Sequence, residues 1–430
     1  MTGGSAPVFD ASGLPEWLAH LESLHPSAID MGLGRVECVR DALGLKPAFP
    51  VLTVGGTNGK GSVCATLATI LRCAGYRVGT YTSPHLLHYN ERVAIDLVPA
   101  SDAALVESFR AVEAARGETT LTYFEFGTLA ALRLFADAGV EVAILEVGLG
   151  GRLDAVNAFE PDVAAVVSVG IDHQSFLGED RETIGFEKAG IYRAGKPAFC
   201  ADPAPPQSLL DHAAAIGADL RLIGRDFGYL KQNEDRQWMA WSPGGRHHAL
   251  PFPALRGDYQ LGNAALALAM LDAMHDRLPV SLGDIKRGLL EVEWPARFQV
   301  LPGRPATVLD VGHNPHAARV LRASLDQMGF FPRTHAVFGM MADKDIAGVV
   351  ELLVDRIDVW HIAAPALPRA ATPQHVAEIV TAKGGRVELH ASVAHAWQAA
   401  CKSAGENDRI LAFGSFYTVA EVMAAREARL

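Results

Sequence analysis

Cysteine is scarce in this 430-residue chain: five residues, Cys38, Cys64, Cys73, Cys200 and Cys401, an odd number with no C-x-x-C pair. That leaves no disulfide framework and no cysteine-built zinc site to read, and it points to free thiols in a reducing compartment. Long apolar runs are missing as well. No stretch reaches the roughly eighteen residues a membrane helix needs, and the opening MTGGSAPVFDASG has neither the basic start nor the apolar core of a secretory leader. Basic charge is in short supply, with 38 Lys and Arg against 49 Asp and Glu for a net charge of −11. A nucleic-acid or anionic-membrane partner would want a basic face, so neither is expected. There is no internal repeat or low-complexity segment. What remains is an ordinary globular composition, 49% hydrophobic and 20% charged, long enough for two or three domains. We read a cytoplasmic protein, taken as a monomer, that meets anionic substrates through local cationic pockets.

The most informative segment is Val51 to Ser62, VLTVGGTNGKGS, where an apolar β-branched strand runs into a glycine-rich turn. Glycines let successive backbone N–H groups converge on an anion, the following helix points its positive end at the same spot, Lys60 adds a full charge, and Ser62 offers a hydroxyl to a metal. The ordinary phosphate-loop pattern sets Ser or Thr directly after the Lys; here Gly61 intervenes. The predicted phosphate-binding set is Gly56, Thr57, Asn58, Gly59, Lys60, Gly61 and Ser62.

Around this loop the periodicity alternates between strand and helix. Pro15 to Leu45 reads as two short helices broken at His25-Pro26, Val63 to Cys73 as a helix, and Arg77 to Ser83 as the next strand. Further strands are expected at Val140–Val147 and Asp162–Val169, with helices at Ser101–Arg116 and Tyr123–Ala138. Such alternation builds a mostly parallel α/β sheet, with ligands at the carboxyl ends of its strands. A hairpin is signalled at Ser242–Gly245, and apolar helices at Tyr259–Met274 and Leu282–Leu290. A second α/β series follows: strands at Thr307–Val311, His335–Gly339, Asp358–Ala363, Arg386–His390 and Arg409–Gly414. We therefore expect an N-terminal phosphate-loop domain, 1–295, and a smaller Rossmann-like C-terminal domain, 296–430.

Taken in order, the loop and YTSPHLLHYNERV (Tyr81–Val93), LTYFEFG (Leu121–Gly127), LEVGLGGRLDAVN (Leu145–Asn157), GIDHQSFLG (Gly170–Gly178), EKAGIYR (Glu187–Arg193), ARFQV (Ala296–Val300), LDVGHNPHAA (Leu309–Ala318) and FGMMADKDI (Phe338–Ile346) resemble the Mur-ligase superfamily. Within it they resemble the bacterial folylpolyglutamate synthases, above all the bifunctional type that is also a dihydrofolate synthase. The resemblance implies an ATP-dependent ligase that joins L-glutamate to 7,8-dihydropteroate, or to the γ-carboxylate of reduced folates. It implies two magnesium ions. Ser83, Glu146 and His173 match metal-binding positions, and Lys188 matches a carbamylated lysine that helps hold the second ion; Lys60, His173 and Lys188 are the expected catalytic residues. Asp30, Met31, Gly32, Thr122, Tyr123, Phe124, Glu125, Leu153, Asp154 and Ala155 match positions bordering the pterin substrate. Gly56 to Ser62 match the family's ATP loop and Asn263, Arg297, Asp310 and His313 further ATP contacts, which makes the 1–295 domain the ATP- and pterin-binding one.

Chemistry independent of the family leaves several of these open. Ser83 before Pro84 also reads as turn chemistry. Glu146 in an apolar strand would otherwise be a costly buried charge. His173 also reads as a loop histidine. Lys188, by composition alone, reads as solvated and paired with Glu187 or a neighbour of Arg193, and Phe124 as core. The family often carries Pro-Gly-Arg-Phe where this chain has Pro295-Ala296-Arg297-Phe298, which puts the local turn in question. Two competitors are a peptidoglycan Mur ligase, whose added uridine-nucleotide domain has no room before Val51, and a nucleotide-binding module without ligase activity.

Overall fold

The computed structural model describes residues 9–232 and 237–428, so the first eight residues of the segment read as leaderless lie outside it. Contacts divide the chain into two compact units, one formed by residues up to Phe252 with Gly262–Glu291, the other by Pro253–Leu261 with the chain from Val292 onward.

The first unit is built on eight strands: β1 (Val51–Gly55), β2 (Val78–Tyr81), β3 (Val93–Ile95), β4 (Val98–Pro99), β5 (Val142–Glu146), β6 (Val163–Val166), β7 (Pro197–Cys200) and β8 (Asp219–Leu222). They stand in the order β4-β3-β2-β5-β1-β6-β7-β8. β2, β5, β1, β6, β7 and β8 pair in parallel, whereas β3 and β4 add antiparallel at one edge. Central strands buried on both faces read as continuous apolar runs, as Val51–Val54 and Val142–Leu145 do. β2, β5, β1 and β6 are neighbours, so the residues following these four strands fall side by side. The strand expected over Asp162–Val169 ends at Val166. The next residues turn to the glycine-rich loop instead, Thr57 N–H donating to the Ser168 carbonyl at 2.8 Å.

Helices cover the sheet: α1 (Leu14–Ser23), α2 (Gly34–Ala42), α3 (Lys60–Cys73), α4 (Asp102–Arg116), α5 (Tyr123–Asp137), α6 (Gln174–Leu177), α7 (Arg181–Ala189) and α8 (Gln207–Ile216). Ser101 caps α4 by accepting from the Ala104 amide, and Thr122 with Glu125 forms a reciprocal capping box at α5. A separate antiparallel sheet, β9 (Gly228–Gln232), β10 (Gln237–Ser242) and β11 (Gly245–Pro251), contains the expected hairpin. The two apolar helices are present as α9 (Tyr259–Ala273) and α10 (Leu282–Glu291). No helix among the described residues is long and apolar enough to cross a membrane.

The second unit has strands β12 (Gln299–Leu301), β13 (Ala306–Asp310), β14 (Thr334–Phe338), β15 (Val359–Ile362), β16 (Val387–Leu389) and β17 (Arg409–Phe413), ordered β12-β13-β17-β14-β15-β16. Only β12 runs antiparallel. Its helices are α11 (Pro315–Asp326), α12 (Ile346–Leu353), α13 (Pro373–Ala382), α14 (Val393–Ser403) and α15 (Phe416–Glu427). Its core gathers Trp360, Phe338, Phe413 and the aliphatic faces of α11–α13. The mixed α/β class and the second sheet are as the alternating periodicity requires. The edge strands β3, β4, β8 and β12 were not legible, being short and anchored by pairing rather than by pattern.

Candidate active site

Lys60 opens α3 directly after the turn, with Gly59 as its N-cap at φ +91° and Gly56 at φ +139°, both positions that favour glycine. A Cβ on Gly59 would stand 2.8 Å from Val167 Cγ1 and 2.9 Å from Asn263 Oδ1, so the turn is held against β6's end and α9 with no room to spare. The Lys60 ammonium folds over the loop, donating to the carbonyls of Gly56 (3.1 Å) and Thr57 (3.4 Å). Asn58 N–H donates to Ser168 Oγ (3.0 Å), which donates back to the Asn58 carbonyl (3.1 Å). Thr57 Oγ1 donates to the Gly170 carbonyl (3.1 Å) and accepts from its amide (2.9 Å). Ser168 and Gly170 thus shape the loop, although the sequence reading gave them no role in it. Their signal was the end of an apolar strand beside a phosphate loop.

Glu146 ends β5 at only 4% exposure, and its Oε2 accepts from the Ser83 amide at 3.1 Å. Ser83, just past β2, and Glu146 are therefore together. His173 sits in the loop after β6, exposed and at φ +52°, its amide donating to Asp172 Oδ1 at 2.8 Å. A carboxylate, a hydroxyl and an imidazole make an oxygen-rich donor set suited to a hard divalent cation. Two of the three donors are oxygens, and Glu146 and Ser83 stand together at neighbouring strand ends, so the residues fit such an ion.

Lys188, in the last turn of α7, is 4% exposed rather than solvated. Burial, and then the Lys60 charge, depresses its ammonium to about 7, against the opposing pull of Asp172 and Asp154. Neighbouring Glu187 pairs through Oε1 with Arg152 at 2.7 Å rather than with Lys188. Asp154 is pushed up to about 6 by burial, in spite of amides donated by Leu149 (2.8 Å) and Val156 (3.0 Å) and the Lys60 charge. Lys60, Asp154 and Asp172 thus all lie within electrostatic reach of Lys188.

The two patches assigned to the pterin are drawn together by a residue the sequence did not flag. Arg35 donates from Nη2 to Glu125 Oε1 (2.8 Å) and from Nη1 to Asp30 Oδ2 (2.8 Å), bridging segments ninety residues apart. His25 Nε2 also meets Asp30 Oδ2 at 3.1 Å. Glu125 Oε2 takes the Thr122 amide at 2.7 Å, so both its oxygens hold the start of α5 in place. Phe124 lies against Gly148, where an added Cβ would meet its ring at 2.7 Å, and its centroid is 5.6 Å from that of Tyr81. Tyr123 is half-buried under the Arg92 guanidinium, 5.5 Å away. Met31 stands near Gly150, and a Cβ on Gly32 would meet open space. Leu153 is half-buried and Ala155 buried beside Asp154.

Of the four further positions expected to contact ATP, Asn263 lies in the first unit against Gly59. Arg297, Asp310 and His313 form a cluster of their own in the second. The Arg297 guanidinium lies 4.9 Å over the Phe416 ring, and the His313 ring is 6.3 Å from the same phenyl. His313 Nδ1 faces the Val311 carbonyl at 2.9 Å. Asp310 accepts from the Phe298 and Gly312 amides, each at 2.8 Å, and burial raises its pKa. Ala296 and Phe298, flanking Arg297, hold φ +59° and +47°. The turn thus takes the left-handed form a glycine adopts freely, with alanine in that place.

Two family descriptions match the chain: Mur ligase middle domain over residues 54–271, and Mur ligase, glutamate ligase domain over residues 296–416. The chain is 45% identical over 420 residues to the dihydrofolate synthase/folylpolyglutamate synthase of Escherichia coli (strain K12), covering 97% of each. Among solved structures it is similar to E. coli FolC in complex with DHPP and ADP, at 45% identity and a TM-score of 0.93, covering 97% of this chain and 99% of that one. It also resembles a bifunctional folylpolyglutamate synthase/dihydrofolate synthase with Mn, AMPPNP and L-glutamate bound, at 45% identity and a TM-score of 0.90, covering 98% of this chain and 100% of that one.

Proposed function

The chain belongs to the dihydrofolate synthase/folylpolyglutamate synthase family of Mur ligases, and we infer that it is an ATP-dependent carboxylate–amine ligase that adds L-glutamate to 7,8-dihydropteroate and to the γ-carboxylate of reduced folates. ATP is its co-substrate and it uses a divalent cation, in keeping with the ADP, AMPPNP and Mn bound by its relatives. That the working ion is magnesium, bound as a pair, and that the chain acts as a cytoplasmic monomer, complete the reading.

The observation that carries it is the convergence of functional groups at four adjacent strand ends. The glycine-rich loop follows β1, Ser83 follows β2, Glu146 ends β5, and Ser168 to His173 follow β6, with Lys188 buried within reach of Lys60's charge. In the reaction an oxygen of the acceptor carboxylate attacks the γ-phosphorus and ADP departs, leaving an acyl phosphate. The glutamate amine then attacks the acyl carbon, loses a proton, and phosphate leaves with the bridging oxygen. Bringing two anions to about 4 Å opposes the first step by about 4 kcal/mol at an effective dielectric of 20. Lys60 and the α3 N-terminus offset this, and a bound divalent cation would add Lewis-acid stabilisation of the transferring phosphoryl group. Ser83, Glu146, His173 and a carbamylated Lys188 would hold the metal; Asn263, Arg297, Asp310 and His313 would engage ATP. We place the pterin between the Asp30–Gly32 and Thr122–Glu125 segments and Leu153–Ala155, where Phe124 and Tyr123 offer ring faces.

The test is glutamate-dependent ADP release with dihydropteroate and with tetrahydrofolate derivatives in parallel. Turnover with both supports the bifunctional reading. Activity on the folates alone leaves a folylpolyglutamate synthase, and activity on neither leaves another Mur-type amino-acid ligase.

A further inference from the structure

The second sheet gathers imidazoles on one face. His335 lies on β14, His361 on β15 and Glu388 on β16, with His361 registered opposite Glu388 and His390 just past the edge strand. His361 Nδ1 stands 3.2 Å from His390 Nε2 and 3.5 Å from Glu388 Oε2. On its other side, His361 Nε2 is 3.2 Å from His335 Nδ1, and His335 Nε2 lies 3.8 Å from Asp408 Oδ2. His361 is fully buried, while Glu388 and His390 are half-buried.

One ring nitrogen presents either a hydrogen or a lone pair, so His361 Nδ1 cannot serve both neighbours that crowd it. An ion among the three atoms can. Four-coordinate zinc holds nitrogen and oxygen at ~2.0–2.1 Å, and tetrahedral angles then put ligand atoms about 3.3–3.4 Å apart. The two separations at His361 fall on either side of that spacing, and the three donor atoms all lie within 4.8 Å of one another. The outer nitrogen is also arranged as a ligating histidine requires. If His361 donates from Nε2 to His335 Nδ1, its Nδ1 carries the lone pair, and the His335 hydrogen is directed from Nε2 toward Asp408. His335 Nε2 otherwise has no hydrogen-bond partner. Metal binding takes the imidazoles in their neutral form. The charged groups around the imidazoles are Arg386, 3.5 Å from Glu388 Oε1, with Asp358 and Arg333 near His335, and the His395 ring neighbours His390.

We propose that His361, Glu388 and His390 bind a zinc-class divalent ion, with water as the fourth ligand and His335 orienting His361, so that the ion fastens edge strand β16 to β15. Two imidazoles and a single carboxylate favour zinc, cobalt or nickel over magnesium, which sets this site apart from the oxygen-rich one at Glu146. The scarcity of cysteine excluded only a thiolate site.

The test is zinc titration of the full-length, chelator-stripped protein with magnesium saturating in every arm. We expect one equivalent bound with a Kd on the order of a micromolar or tighter at neutral pH. Affinity should fall about tenfold or more in both His390→Ala and Glu388→Gln and be unchanged in His173→Ala. Cobalt in place of zinc should give the intense visible bands of a four-coordinate site, absent from the same two variants. Glu388→Gln keeps the side-chain shape, so the comparison stands even if His390→Ala folds poorly. No stoichiometric binding under excess magnesium, undiminished affinity in Glu388→Gln, or a loss that follows His173 instead would each overturn the proposal.

Discussion

Lys188→Met should abolish ligation and yet stabilise the metal-free protein in mildly acidic, CO2-depleted solution. The ammonium is buried and its pKa is drawn from 10.5 to about 7, mainly by desolvation. At 1.36 kcal/mol per unit, a depression of roughly three units or more is on the order of 4–5 kcal/mol against the folded state. The sign follows from proton counting. Below pH 7 the lysine is charged in both states and the penalty is complete. From pH 7 to about 10.5 the folded amine is already neutral while the unfolded one still holds its proton, so stability rises with pH and the penalty fades. An apolar side chain of similar length removes the penalty, so the variant's melting temperature should exceed that of the wild type clearly at pH 6 and much less at pH 10, as followed by circular dichroism. The same low pKa supplies the neutral amine needed for attack on CO2, forming an N–C bond and releasing a proton. Wild-type protein in 13C-bicarbonate should therefore show a carbamate carbon by NMR that Lys188→Met lacks, and acetate should partly restore turnover to Lys188→Ala. A stability gain that is absent at pH 6 or grows toward pH 10 would refute the burial argument. Lys188→Ala turning over within about threefold of wild type would refute the role.

Three further substitutions probe the neighbouring groups. Lys60→Ala should retain its fold by circular dichroism while losing ~10²–10³-fold or more in ADP release, as expected for one preorganised charge facing a transferring phosphoryl group. Glu146→Gln keeps shape and removes charge, so the divalent-cation concentration giving half-maximal activity should rise; an unchanged titration makes Glu146 structural. Arg35→Ala leaves buried Glu125 without its cation and separates it from Asp30, so it should cost about 1–3 kcal/mol in denaturant unfolding and raise KM for dihydropteroate. An unaltered KM would place Arg35 in the scaffold alone.

The sequence made legible whatever is local. Gly56 and Gly59 declared a backbone that only glycine takes easily, and the β-branched run before them declared the strand. Glu146 stood out as a charge where an apolar strand should bury it, and the structure does bury it. Bonds that join distant segments left no trace in the pattern: Arg35 to Glu125 across ninety positions, Ser168 to Asn58 across 110, and the meeting of His335, His361 and His390. Lys188 shows the limit most clearly. Its own segment, GFEKAGIYR, reads as a polar helix turn, and only the packing of α7 against the sheet turns that lysine inward. Ala296 shows the converse, since the turn beside Arg297 survives without the glycine that family sequences often carry there.

The central claim is that the acceptor's own carboxylate takes the γ-phosphoryl group before glutamate attacks. Dihydropteroate labelled with 18O in its carboxylate, turned over with ATP and L-glutamate, tests this directly by mass analysis of the phosphate released. The acyl-phosphate route predicts one 18O atom in each phosphate, carried over as the former bridging oxygen. Phosphate free of label, with the amide still formed, would contradict it.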